Sequence, residues 1–230
     1  TQAINPLTYR NLAYDPARDF APVSLVATIP FAIVAGPSRP EIKDFAGLVA
    51  AAKRAPGALS FGSWGVGSTA HLAFARIARE AGAELLHVPF TGQAPAMQAV
   101  AASQVDVMAV PAGGAEAMAR DGRARVLAVI SPERLELLPA APTLRELGVD
   151  LVIGLWQALY VPARTPPAVV ARLNAAAHEA MRAPSFAAAM RTQAAKPEPS
   201  TPEALAELQR SEREAYGVVV RELNITVDGA

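Results

Sequence analysis

The feature that most constrains this chain is an alternation that begins near residue 43. Short runs rich in β-branched and apolar residues (ALSFG, ELLHVPF, VDVMAV and ARVLAVIS) are separated by stretches with helical periodicity. Those stretches are KDFAGLVAAAKRA, the segment from Thr69 to Gly82, the segment from Pro95 to about Ala102, and GAEAMARDG. A strand that is followed each time by a helix returns to its sheet by a right-handed crossover, and its neighbours then run parallel. The expectation is an α/β domain with a parallel sheet. The punctuation agrees. Pro56-Gly57 closes the first helix, Ser68 or Thr69 can cap the second, Gly82 sits where a C′ glycine belongs, and Pro95 suits a first helical turn.

Two long apolar runs flank this block. VSLVATIPFAIVAG, from Val23 to Gly36, is too short for a membrane helix, which needs roughly 20 apolar residues. Its β-branched content and Pro30 read as a buried strand with a break. LVIGLWQALYVPA is its partner in length, and LPAAPTLRELGVD before it reads as a loop with a short helix. Beyond Pro166 the pattern is helical, and Thr201-Pro202-Glu203 is a good helix start. Those helices have apolar faces with no strands between them, so they must cover something from the rest of the chain. With 230 residues, 52% hydrophobic and 18% charged, the chain can fill a sizeable core. Its 21 basic residues balance its 21 acidic ones, so nothing is in excess to meet phosphates, and nucleic acid is not an expected partner. Cysteine is absent, which rules out disulfides, thiol catalysis and Cys-ligated metal.

The stretch LSFGSWGVGSTAHLA carries the chemistry. Gly65-Val66-Gly67-Ser68-Thr69-Ala70 fits the G-x-G-x-x-A form of the dinucleotide fingerprint, between a strand and a helix. That fingerprint needs an acid at the end of the next strand for the ribose hydroxyls. Here the strand ends HVPFTGQ, and Glu84 lies before it. No NAD or FAD, and no other cofactor, is expected. What survives is a glycine-rich turn that feeds a helix start, with backbone N–H groups and the positive end of the helix dipole. Ser63, Ser68 and Thr69 add hydroxyls, and Thr91-Gly92-Gln93 forms a second such turn. Successive parallel strands place both turns on one carboxyl edge, a pocket for a small acid held by amides and hydroxyls. The same glycines also suit ordinary turns. Trp64 either lines a pocket or packs over the helix.

The catalytic inventory is thin. His71, His87 and His178 are the histidines, each readable as a satisfied core or surface residue. Neither H-x-x-x-H nor H-E-x-x-H occurs, so no metal site and no catalytic residues are expected. Phe61 occupies the first glycine position of a G-x-S-x-G elbow around Ser63. Asp106 reads as a buried, hydrogen-bonded acid.

Four segments together resemble the Bug/TctC family, the extracytoplasmic solute receptors of tripartite tricarboxylate transporters. They are INPLTYRNLAYDPARDFAPVSLVA, PGALSFGSWGVGSTAHLA, HVPFTGQAPAMQAVAASQVDVM and LAVISPERLELLPAAPTLRELG. The resemblance implies a type II periplasmic-binding-protein (Venus flytrap) fold, with parallel-sheet lobes joined by two crossover strands. Residues 37–154 would be the complete second lobe. Residues 1–36 and 155–230 would be a remnant of the first, incomplete because the family begins well upstream of TQAINP. It implies an exported, periplasmic protein whose signal peptide is not in this chain. Such a protein captures a small, carboxylated organic solute between its lobes for a membrane permease, without catalysis. The ligand-binding positions implied are Gly62, Ser63, Gly65, Val66, Gly67, Ser68 and Thr69, with Thr91, Gly92 and Gln93; Trp64 is added as a candidate on its aromatic character. One departure is Ala109-Val110-Pro111, where many members carry a polar pair. The exposed surface of the incomplete lobe carries the expectation of a homodimer. The alternatives are a Rossmann-like or hydrolytic α/β enzyme, and an interaction module that uses the fold without a ligand.

Overall fold

The computed structural model describes residues 2–227. Two compact units divide the chain, residues 1–29 with 156–230 and residues 30–155. In chain order the first elements are two single-turn helices, α1 (Asn5–Thr8) and α2 (Pro16–Asp19), and a long strand, β1 (Phe20–Ala35). Then come α3 (Phe45–Arg54), β2 (Ser60–Ser63), α4 (Thr69–Glu80), β3 (Leu86–Pro89), α5 (Gln93–Ala101), β4 (Val107–Pro111), α6 (Ala112–Arg120) and β5 (Arg125–Ile130). The chain closes with β6 (Gly154–Pro162), α7 (Pro167–Met181), α8 (Pro184–Arg191), the two-residue β7 (Lys196–Pro197) and α9 (Pro202–Glu222).

In the unit of residues 30–155 the strand order is β3-β2-β4-β1-β5. β2 runs parallel to both β3 and β4, as the alternation predicts. The long strand departs from that expectation. β1 lies between β4 and β5 and is antiparallel to both. β1 is not part of the strand–helix alternation, so no crossover fixes its direction. Pro30 does not break it. The pairing partners change there instead: Ala27 and Thr28 pair with β7, whereas Phe31 onward pairs with β4 and β5. A proline, which lacks an N–H, fits where a ladder changes hands. Residues 30–35 are therefore at the centre of this sheet rather than beyond its boundary.

The core of this unit forms from the two sheet faces and the helices upon them. Phe31, Ile33, Phe74, Leu127 and Leu144 are essentially fully buried. Each such side chain contributes about 1.5–3 kcal/mol on leaving water. Asp106, 8% exposed, pins the amino ends of the strands. Its carboxylate accepts from Ser60 N at 2.7 Å, Ser60 Oγ at 2.9 Å and Arg39 Nε at 2.7 Å. Burial alone would raise its pKa, but the Arg39 and Ser60 hydrogen bonds override that and hold it below the ordinary value. The short helix expected in LPAAPTLRELGVD is absent. The segment is a series of turns with one bridge, Val129 to Thr143.

In the unit of residues 1–29 and 156–230, β6 and β7 pair with β1. Asn174 donates to the carbonyls of Val23 and Ser200, both at 2.8 Å, and the His178 ring contacts the Ser200 carbonyl at 3.1 Å. Thr201 caps α9 by accepting from Ala204 N at 3.2 Å. No helix among the described residues is long and apolar enough to cross a membrane.

Candidate functional site

Three turns meet at the carboxyl edge of the parallel strands. Ser63 at the end of β2 aligns with Pro89 at the end of β3, and Phe90 N donates to the Ser63 carbonyl at 2.8 Å. β4 runs beside β2 in the same direction and ends at Pro111, on the same edge. Each strand leads directly to a helix start, at Thr69, Gln93 and Ala112. The α6 start packs against α5, because a Cβ on Gly114 would lie 2.8 Å from Met97 Cε of α5.

The first turn is built by its own hydrogen bonds. Gly65 and Gly67 have φ of 122° and 73°, values that favour glycine. Ser68 caps α4 by accepting from His71 N at 3.3 Å. Gly67 N donates to His71 Nδ1 at 3.1 Å, and Gly65 N donates to Ser63 Oγ at 3.2 Å. Ser63 Oγ also contacts the Gly65 carbonyl at 3.0 Å and His87 Nε2 at 2.7 Å. The hydroxyls of Ser63 and Ser68 and the amides of Gly65 and Gly67 therefore hold the loop. Within the described residues, the N–H groups of Val66, Thr69 and Ala70 and the Thr69 hydroxyl are left without an internal partner. Gly62 lies inside β2 under Val105, where a Cβ would come within 3.2 Å. Trp64 packs edge-on against Phe31, with ring centroids 5.6 Å apart. Val66 is exposed.

The second and third turns are simpler. Gly92 is the N-cap of α5 with extended backbone, no side chain caps that helix, and Thr91 and Gln93 are exposed. Pro111 precedes α6, again with no side-chain cap. The N–H groups of Gln93, Ala94, Ala112, Gly113 and Gly114 thus point from uncapped first turns. The α6 start, Ala112-Gly113-Gly114, was missing from the sequence reading. Its signal was Pro111 followed by small residues at the end of a strand, which suits a helix start as well as a loop.

Beneath the first turn lies a second feature that the sequence reading missed. His71 from α4 and His87 from β3 stack face to face, with centroids 3.8 Å apart and planes within 4°. Phe61 stacks on His87 at 4.7 Å and on Phe74 at 5.1 Å. Burial, and then the neighbouring His87, lowers the His71 pKa to about 4, and burial lowers that of His87 to about 4. Both rings are neutral near pH 7. His71 accepts at Nδ1, so its proton is on Nε2.

The Ser63–His87 contact has the length of a nucleophile–base pair. The surroundings deny it that use. Ser63 is 0% exposed, its hydroxyl is bound within the turn, and among the described residues no carboxylate is hydrogen-bonded to either ring. No cluster of three metal-ligating side chains occurs among the described residues. A hollow of about 480 Å³, lined by Phe45, Leu138, Ala141 and Leu147 among others, lies beside the first residues of β5, away from the turns.

The carboxyl edge of the sheet thus gathers three helix starts, of which those of α5 and α6 lack a side-chain cap. Residues 1–225 match the family model described as "Tripartite tricarboxylate transporter family receptor", and the chain belongs to that family. It is similar to a UPF0065 protein encoded between tcbD and tcbE in Pseudomonas sp. strain P51, 36% identical over 96% of this chain and 66% of the relative. Protein BugT of Bordetella pertussis is 30% identical over 92% of this chain and 65% of the relative. The chain thus spans about two thirds of the length of these curated relatives. Among solved structures, an R. palustris protein with adipate superposes with a TM-score of 0.90 at 28% identity, covering 98% of this chain and 75% of the other. MatC from Rhodopseudomonas palustris, with bound malate, gives 0.85 at 29% identity, with 96% and 76% covered. The periplasmic binding protein BugD gives 0.86 at 26% identity, with 99% and 77% covered. The fold is that of these periplasmic binding proteins.

Proposed function

We propose that the chain serves as a periplasmic receptor that holds a small carboxylated organic solute for a tripartite tricarboxylate-type permease, and that it is not an enzyme. The observation that carries this reading is the convergence of the α4, α5 and α6 starts on one sheet edge, two of them without a side-chain cap. Aligned N–H groups and helix dipoles favour a carboxylate there. Neither of the first two turns contains Lys or Arg, so recognition rests on amides, on the Thr69 hydroxyl and on the exposed Thr91 and Gln93 side chains. Adipate and malate, the ligands of two structural neighbours, are the first solutes to try.

A thermal-shift panel tests this. Dicarboxylates, amino acids and aromatic acids are compared with NAD(P). A solute that binds only the folded chain stabilises it by about 2.7 kcal/mol at a hundredfold excess over Kd. A shift with a small acid supports the receptor. A shift with nucleotides alone, or with nothing, removes it. The homodimer is a separate proposal, motivated by Val169 and Leu173 of α7 being 43% and 41% exposed. Light scattering that reads one chain's mass, 24.0 kDa, removes it.

A further inference from the structure

We propose that His71, backed by its stacked partner His87, is a positioning residue that holds the glycine turn in its binding shape only while its Nδ1 is unprotonated. This inference rests on the receptor reading of that turn. Gly67 N–H donates to His71 Nδ1, and a nitrogen that accepts a hydrogen bond cannot also carry a proton. Protonation of His71 places a second donor against the Gly67 N–H, and the bond becomes a donor–donor contact. Gly67 sits at the left-handed φ of 73° and is buried, so this bond is part of what fixes an unusual backbone. The next residues, Ser68 and Thr69, open the helix whose free amides face the edge.

The two histidines are not equivalent. His87 Nε2 meets Ser63 Oγ, which can donate or accept. A protonated His87 still donates to that oxygen, while Ser63 donates to the Gly65 carbonyl. The acid-sensitive contact is therefore the His71 one, and His87 sets how readily it titrates. Stacked at 3.8 Å, the two rings oppose a charge on either, and the aromatic faces of Phe61 and Phe74 exclude water from one side. The elements packed around them supply no counter-charge. β2 and β4 contain no ionisable side chain, β3 contains only His87, and the ionisable groups of α4 besides His71 are Arg76, Arg79 and Glu80, toward its far end. Burial holds both imidazoles neutral well below their ordinary range. The turn is then intact at neutral pH and opens under acid, which weakens its hold on a carboxylate.

The test is an NMR pH titration of the whole chain, following the His71 ring nitrogens and the Gly67 amide, with calorimetry on adipate and malate in parallel. His71→Asn places an amide oxygen where Nδ1 was, so it keeps the acceptor but cannot gain charge. His71→Ala removes the acceptor. The expected result is that the Gly67 amide of the wild type shifts with the apparent pKa of His71. In His71→Asn it stays near its neutral-pH position throughout. Affinity at pH 7 is nearly unchanged in His71→Asn and falls about two- to tenfold in His71→Ala, the worth of one neutral hydrogen bond. Near pH 4 the wild type loses affinity relative to His71→Asn. A Gly67 amide that ignores the titration of His71, or a His71→Asn variant whose Gly67 amide still titrates like the wild type's, overturns the proposal. The amide readout needs no solute. A wild type that binds neither acid refutes the receptor reading for them, while the Gly67 amide still decides whether His71 holds the turn.

Discussion

In the unit of residues 30–155 the apolar side chains of β1, β2, β4, β5 and the surrounding helices close into one buried cluster. In the unit of residues 1–29 and 156–230, helix α7 buries a single residue, Met181, and α8 buries none. Val169, Leu173 and Val218 of that unit are more than 40% exposed. The glycine turns sit on the unit with the continuous core, whereas α7 and α8 contribute little to a buried cluster. Exposed apolar side chains are not confined to the helical unit, since Leu86 and Val152 of the other are 58% and 43% exposed.

The largest effects test that contrast directly. Phe74 is 0% exposed and stacks on Phe61 within the cluster. Phe74→Ala is expected to cost about 3–5 kcal/mol in urea unfolding. Leu173→Ala should cost within about 0.5 kcal/mol, as surface changes do. A loss at Leu173 comparable to that at Phe74 would mean that α7 is covered in solution, and the contrast would fail.

Acid distinguishes the units by sign. The folded pKa of His71 and of His87 is about 4, below the ordinary 6.5. Between those values the unfolded chain binds protons that the folded chain does not. Stability from the histidines is therefore full above about 6.5 and falls as pH drops toward about 4. Glu212 in the other unit behaves oppositely. Burial raises its pKa, against hydrogen bonds from Trp156 and Tyr216. The folded chain takes up that proton first, so acidification through its window adds stability. Melting curves from pH 7 to 4 should fall for the wild type, less for His71→Asn, and more steeply for Glu212→Gln. A Glu212→Gln curve parallel to the wild type would remove the opposing contribution.

Much of this is legible in the sequence. A cap for α4 at Ser68 or Thr69, which the structure places at Ser68, Gly82 at left-handed φ, and the two glycine turns sharing one edge all follow from local rules, because strand–helix alternation and capping are encoded within a few residues. The direction of β1 was not legible, since its partners in β4 and β5 lie more than 70 residues away. The His71–His87 stack was missed for the same reason: 16 residues separate them, and only the parallel pairing of β2 with β3 brings the second ring over Phe61. A hydroxyl in a turn looks alike in sequence whether it faces outward or binds within the protein, and in the structure those of Ser63 and Ser68 both have internal partners.

Within the site itself, neighbouring residues differ by smaller amounts. Ser68 and Thr69 are adjacent hydroxyls at the start of α4, but their surroundings differ. Ser68 Oγ accepts from His71 N at 3.3 Å and so satisfies a backbone donor of the helix. Ser68→Ala is expected to cost about 1 kcal/mol of stability, the usual worth of a cap, measured in urea. Thr69 Oγ1 has no internal partner among the described residues, and its loss should leave stability within about 0.5 kcal/mol. If the edge holds a carboxylate, Thr69→Ala instead weakens solute binding by about 0.5–1.5 kcal/mol, and Thr69→Ser, which keeps the hydroxyl, recovers most of it. Calorimetry on the three variants separates the cases. An affinity unchanged in Thr69→Ala would remove the Thr69 hydroxyl from the binding surface and leave the backbone amides of the three helix starts to hold the carboxylate.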